Sequence, residues 1–119
     1  MKKIFIVEDD ADILELCSHL LSSDTVDVSG YATAEAFYKD MSKSRPDLVV
    51  LDIMLPDGNG VEICRELCAN ATTNSIPIVL MSAHETPSIL KREVCAREFI
   101  AKPFDVDDFV TRVSRQLVS

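Results

Sequence analysis

Only three glycines, Gly30, Gly58 and Gly60, occur among the 119 residues of the chain. Phosphate-cradling loops and dinucleotide turns depend on glycine, because the backbone must come close to the pyrophosphate. No glycine fingerprint follows the first apolar run and no Walker lysine motif is present, which argues against a nucleotide- or flavin-binding α/β domain. The four cysteines lack the tight paired spacing with histidine that a zinc site needs, so no zinc is expected. No apolar run approaches the roughly 20 residues that cross a bilayer. Met1-Lys2-Lys3 is followed by only four apolar residues before Glu8, so no signal peptide is expected. Basic residues are the minority, 12 Lys and Arg against 20 Asp and Glu, for a net charge of −8. With no basic stripe, neither direct nucleic-acid binding nor an anionic membrane is expected. An acidic excess fits an ordinary solvated surface, and fits equally a site that holds a divalent cation.

The cysteines Cys17, Cys64, Cys68 and Cys95 each fall within a helical pattern, where buried thiols are ordinary core residues. Cys64 and Cys68 stand one helical turn apart, and a redox pair there is the lesser reading. A reducing cytoplasm is the expected compartment. The length suits one domain, residues 1–119, with no linker, repeat or low-complexity segment. The chain stops just after its last helical pattern, so no output domain is expected.

Along the chain, Ile4-Phe5-Ile6-Val7 reads as a buried strand ending in Glu8-Asp9-Asp10. Ile13, Leu14, Cys17, Leu20 and Leu21 then recur at helical spacing. A weaker strand over 26–29 is closed by Gly30, and Thr33 caps a helix whose inner face includes Phe37 and Met41. Leu48-Val49-Val50-Leu51 leads into Asp52 and the turn Pro56-Asp57-Gly58-Asn59-Gly60, followed by a helix marked by Val61, Cys64, Leu67 and Cys68. A fourth strand over 76–81 runs into Ser82-Ala83-His84. Thr86-Pro87 starts a short helix with Leu90, Val94 and Cys95. A fifth strand, Phe99-Ile100-Ala101, precedes Lys102-Pro103. Asp105 caps the last helix, with Val106, Phe109, Val110, Val113 and Leu117 on its apolar stripe. Five β–α units in strict alternation imply an α/β fold: a doubly wound, flavodoxin-like parallel sheet of five strands in the order 2-1-3-4-5, with five helices.

In that order the first and third strands flank the crevice where open α/β sheets bind ligands. Glu8, Asp9 and Asp10 at the end of the first strand would then face Asp52 at the end of the third, with Ser82 and Lys102 alongside. Taken singly, Asp52 is as readily a turn starter, Ser82 a turn residue and Lys102 a solvated lysine. Together they converge at strand ends. Crowded carboxylates repel, and Mg²⁺ removes the conflict with a few oxygen ligands. A carboxylate can accept a phosphoryl group, whose charge a cation, an ammonium and a hydroxyl balance. The residue types fit phosphoryl transfer to Asp52.

The segments Val7-Glu8-Asp9-Asp10, Leu51-Asp52-Ile53-Met54-Leu55-Pro56-Asp57-Gly58-Asn59-Gly60, Met81-Ser82-Ala83 and Lys102-Pro103-Phe104 resemble the receiver domain of bacterial two-component response regulators, across essentially the whole chain. The resemblance implies that Asp52 is the phosphoacceptor. It makes Glu8 and Asp9 the acid pair, with Asp9 nearer Mg²⁺, and has the Met54 backbone carbonyl serve as a further metal ligand. Ser82 would be the switch hydroxyl, Lys102 the lysine that pairs with the phosphoryl group, and Phe99 the rotating aromatic. Asp10 falls one place beyond the pair and is expected to begin the first helix. The side chains of Met54 and His84 are expected beside the phosphoryl group. The Lys102–Pro103 bond is expected to be cis.

Two departures from the family stand out. The segment between Ser82 and Lys102 is short, and Val94-Cys95-Ala96-Arg97 replaces the usual glycine before the fifth strand, so the fourth helix is expected to be short or displaced. The function implied is a phosphorelay switch, not an enzyme beyond its own phosphorylation and dephosphorylation. It would take phosphate from a sensor histidine kinase or phosphotransfer protein and pass the signal to a downstream protein, as a monomer or weak phosphorylation-dependent dimer. An aspartate-nucleophile phosphatase is disfavoured because Met54 stands where such enzymes carry a second aspartate. A receiver-like module that works without phosphate is disfavoured by retention of the full acidic, serine and lysine set.

Overall fold

Apolar residues on both sides of three consecutive sheet positions set the architecture. In the computed structural model, which describes residues 1–83 and 95–117, the elements follow in the order β1 (Lys2–Val7), α1 (Ala11–Leu21), β2 (Val26–Tyr31), α2 (Ala34–Met41), β3 (Leu48–Asp52), β4 (Met54–Leu55), β5 (Gly58–Asn59), α3 (Gly60–Ala69), β6 (Ile78–Ser82), β7 (Glu98–Ala101) and α4 (Val106–Arg115). Five strands form one sheet in the order β2-β1-β3-β6-β7, all parallel. This is the order expected from the sequence. Every residue of β3 and of β6 is buried, which explains why they read as unbroken apolar runs rather than as alternating ones.

Alternation appears once the two faces are separated. Phe5, Val7, Val49, Leu51, Ile78 and Leu80 pack with Phe37 of α2 and with Val61, Ile63, Cys64 and Leu67 of α3. Ile4, Ile6, Leu48, Val50, Val79 and Met81 pack with Cys17 and Leu21 of α1 and Phe109 and Val113 of α4. Among the described residues, each helix starts at a side-chain cap: Asp10, Thr33, Asn59 and Asp105 accept hydrogen bonds from backbone N–H groups in the first turns of α1, α2, α3 and α4.

Three details differ from the sequence reading. β2 does not close at Gly30 but runs through it to Tyr31, with Gly30 opposite Ile6. A β-carbon at Gly30 would lie 2.9 Å from Leu14 Cδ1, so glycine there lets α1 lie close on the strand. Residues 54–59 form a two-stranded ribbon, Leu55 pairing with Gly58 across Pro56-Asp57, rather than a plain turn. Val106 stands at the exposed first position of α4, outside the stripe made by Phe109 and Val113. The expected fourth helix and His84 lie outside the described residues, except Cys95, which is in neither helix nor strand.

Candidate functional site

The carboxyl ends of β1, β3 and β6 open into one cavity of about 650 Å³, lined by Glu8, Asp9, Asp10, Ile13, Asp52, Met54, Ala83, Lys102 and Pro103. The topology brings these residues together from four separate parts of the chain. Glu8 follows β1 directly, and its backbone N–H continues the ladder to the Tyr31 carbonyl at 2.9 Å. Asp52 is the last residue of β3 and pairs in register with Met81. Lys102 follows β7, and its backbone N–H reaches the Ser82 carbonyl at 2.8 Å. The Lys102–Pro103 bond is cis, as expected. Phe104, next in line, stacks on Phe109 with ring centroids 4.6 Å apart, which anchors this turn to α4.

Lys102 is the electrostatic centre. Its Nζ donates to Asp52 Oδ2 at 3.0 Å and also to Glu8 Oε1. Glu8 is fully buried and Asp52 nearly so. Burial pushes the Glu8 carboxyl up from 4.5 to about 7. The Lys102 ammonium and the Asp10 N–H pull it down, while the neighbouring Asp52 carboxylate pushes it further up. For Lys102, burial works against the charge. Its hydrogen bonds to Glu8 and Asp52 outweigh that, and the net shift is upward, so the ammonium stays charged. Asp52 Oδ1 accepts from the Met54 N–H at 3.3 Å.

Carboxylate oxygens of Glu8, Asp9 and Asp52 all lie within 4.8 Å of one another. Hard oxygen donors in small number at this separation suit a magnesium ion. Asp9 is exposed at the cavity mouth. Asp10 is engaged elsewhere, since its Oδ1 accepts from the N–H groups of Asp12 and Ile13 at 3.0 and 3.1 Å and so caps α1. Met54 presents an exposed side chain at the cavity rim. Ser82 ends β6, buried, one residue before the lining Ala83. Phe99 lies outside the cavity, in β7. Its ring is half-buried against the α2–α3 face of the core, and its carbonyl accepts from Arg112 Nη1 at 3.1 Å.

Two features were not legible as functional in the sequence. Gly60 sits against the backbone of Asp52: a β-carbon there would lie 2.3 Å from the Asp52 carbonyl oxygen. Asp57 accepts from the N–H groups of Ala34 and Glu35 at 2.8 and 3.0 Å, tying the loop after Asp52 to the start of α2. These bonds hold the Asp57 carboxyl below its ordinary value. The Pro-Asp-Gly sequence announced a turn but not its distant partner.

Comparison with known proteins agrees with this geometry. The family model described as response regulator receiver domain matches residues 4–114. The chain is 33% identical over 118 residues to the DNA-binding response regulator MtrA of Mycobacterium tuberculosis, covering 98% of this chain and 50% of that protein. It is 33% identical over 120 residues to the response regulator ArlR of Staphylococcus saprophyticus, covering 98% and 53%. The chain thus spans about half the length of the curated relatives it matches. Among solved structures, the BeF3-activated DrrB receiver domain superposes with a TM-score of 0.88 at 32% identity, covering 100% of this chain and 99% of that one. A sheet order, a cavity and a family match that extend over nearly every residue leave one assignment: the chain belongs to the response regulator receiver domain family.

Proposed function

We propose that the domain accepts a phosphoryl group on Asp52 and passes that event to a protein-binding face as a signal. The observation that carries this is the Asp52 carboxylate, held in the cavity by the Lys102 ammonium at 3.0 Å with the acid pair beside it. An Asp52 oxygen attacks the phosphorus of a phosphohistidine on a sensor kinase or phosphotransfer protein. The new O–P bond forms as the P–N bond breaks, and the imidazole leaves. Asp9, Asp52 and the Met54 carbonyl are the residues that would hold Mg²⁺, with Glu8 behind them. When bound, the ion supplies charge neutralisation to the phosphoryl oxygens. Lys102 moves from its carboxylate partners toward the phosphoryl oxygens, and the Ser82 hydroxyl donates to another. Drawing Ser82 inward gives Phe99 room to turn. A ligand shifts such an equilibrium only by its differential affinity for the two states, and these contacts supply the difference.

Met54, two residues after Asp52, has no proton to donate, which sets the domain apart from aspartate-nucleophile phosphatases. Among the described residues no helix is long and apolar enough to cross a membrane, and a cytoplasmic setting goes with a kinase partner. The expectation of no nucleic-acid contact concerns this acidic segment alone, since the mycobacterial relative is a DNA-binding protein twice as long. Incubation with acetyl phosphate or phosphoramidate and Mg²⁺ tests the reading, and should add one phosphoryl group that is lost in Asp52→Asn.

A further inference from the structure

A second cluster of chemically capable side chains lies outside the acidic cavity. Cys64 and Cys68 sit one turn apart on α3, and Cys95 lies three residues before β7. Their three sulfurs lie within 4.8 Å of one another. By sequence each reads as a core residue in a helix, with a Cys64–Cys68 redox pair as the lesser reading. Instead the sulfurs of Cys68 and Cys95 meet, with Cα atoms 6.5 Å apart, a separation that a disulfide bridge spans. Neighbours on one helix point along the same face, whereas Cys95 faces α3 from another segment. The exposures differ in order: Cys95 is exposed, Cys68 half-buried and Cys64 buried.

We propose that Cys68 and Cys95 form a reversible redox site that closes by exchange with a small-molecule disulfide, with Cys64 as a sheltered third thiol. The exposed Cys95 thiolate attacks one sulfur of the small disulfide, whose S–S bond breaks. One small thiolate leaves and takes up a proton. The Cys68 thiolate then attacks the Cys95 sulfur of the mixed disulfide, and the second small thiolate leaves. Two cysteine sulfurs are oxidised, the small disulfide is reduced to two thiols, and two protons pass from the cysteines to them. Cys64 Sγ lies 3.6 Å from Cys95 Sγ, close enough to take over the bridge. Burial pushes the Cys64 thiol up to about 11, so near neutrality it lacks the thiolate needed to do so.

The bridge ties the lead-in of β7 to α3. Cys68, Ala96 and Phe99 all pack against the same apolar cluster, so closing it restrains the strand that carries Phe99. Any consequence for signalling rests on the phosphorylation reading, but the bridge does not. Thiol titration of the denatured chain separates the two. After reduction the count should be four, and after oxidised glutathione it should fall to two, with Cys17 and Cys64 free. Peptide mapping should show a Cys68–Cys95 link that dithiothreitol reopens, and amide exchange over residues 96–100 should be slower in the oxidised form. Cys95→Ser, an exposed position, should form no internal bridge. Four thiols after glutathione treatment would overturn the proposal, as would a mapped Cys64–Cys68 link. So would a zinc ion bound by the reduced chain that protects all three thiols from oxidation.

Discussion

Gly60→Ala should damage the candidate site without replacing any residue that carries its chemistry. The added β-carbon would lie 2.3 Å from the Asp52 carbonyl oxygen, 2.9 Å from its carbonyl carbon and 2.8 Å from Ile53 Cα. Ordinary contact begins at 3.4 Å, so α3 and the end of β3 must part by about 1 Å. Both sides of the clash are backbone, and neither has a rotamer to yield. Overpacking of this kind costs about 1–3 kcal/mol, and rigid partners place it toward the upper end. The better helix propensity of alanine returns at most about 1 kcal/mol, less at a first helical position, so the net loss is about 2 kcal/mol. The 2.7 Å bond from Gly60 N–H to the Ile53 carbonyl is strained by the same movement. Because Asp52 is the residue displaced, its distance to Lys102 changes. A shift of about 1 Å in a reacting group costs roughly a hundredfold in rate. Urea denaturation gives the first quantity, and the rate of labelling by acetyl phosphate with Mg²⁺ gives the second. A variant with unchanged midpoint and unchanged labelling would refute the reasoning. A destabilised variant that labels at the wild-type rate would refute the link from Gly60 to Asp52.

Four further outcomes are expected. The folded chain holds the Glu8 proton up to about 7 where an ordinary carboxyl loses it at 4.5, so the metal-free fold binds more protons than the unfolded chain across that window. Its stability therefore falls as pH rises from about 4.5 to about 7, and Glu8→Gln should flatten that slope in urea midpoints. Mg²⁺ affinity should run the opposite way, strengthening toward pH 7 with proton release on binding in titration calorimetry. Asp9→Asn should weaken Mg²⁺ binding, whereas Asp10→Asn should not, because asparagine caps α1 as well as aspartate does; the reverse order in a metal titration would show the acid pair displaced by one residue. Arg112→Ala removes an ion pair to Glu98 at 3.1 Å and a bond to the Phe99 carbonyl at 3.1 Å, and should cost about 1 kcal/mol in denaturation and speed amide exchange in β7.

The sheet order and both faces of the core were readable because β1, β3 and β6 are buried on both sides and announce themselves as apolar runs. The convergence of Glu8, Asp9, Asp52 and Lys102 was readable because strand ends in a doubly wound sheet meet, so residues from three distant parts of the chain acquire one address. What escaped was decided by tertiary proximity. Gly30 looked like a strand terminator, yet its role is to admit Leu14 of α1. Asp57 belonged to a turn by composition, and only the fold reveals that α2 starts beside it. Cys95 carried a helical pattern in sequence but lies in neither helix nor strand, three residues before β7, where Cys68 meets it. Val106 matched the 3.6-residue period and still faces solvent, because a first helical position precedes the turn that packs.

Intact-mass and peptide mass spectrometry after incubation with acetyl phosphate and Mg²⁺ tests the central claim most directly. The account predicts a single added phosphoryl group on Asp52, absent without Mg²⁺ and absent in Asp52→Asn. Full labelling of Asp52→Asn, or a phosphoryl group mapped to Glu8 or Asp9 in the wild-type chain, would contradict it.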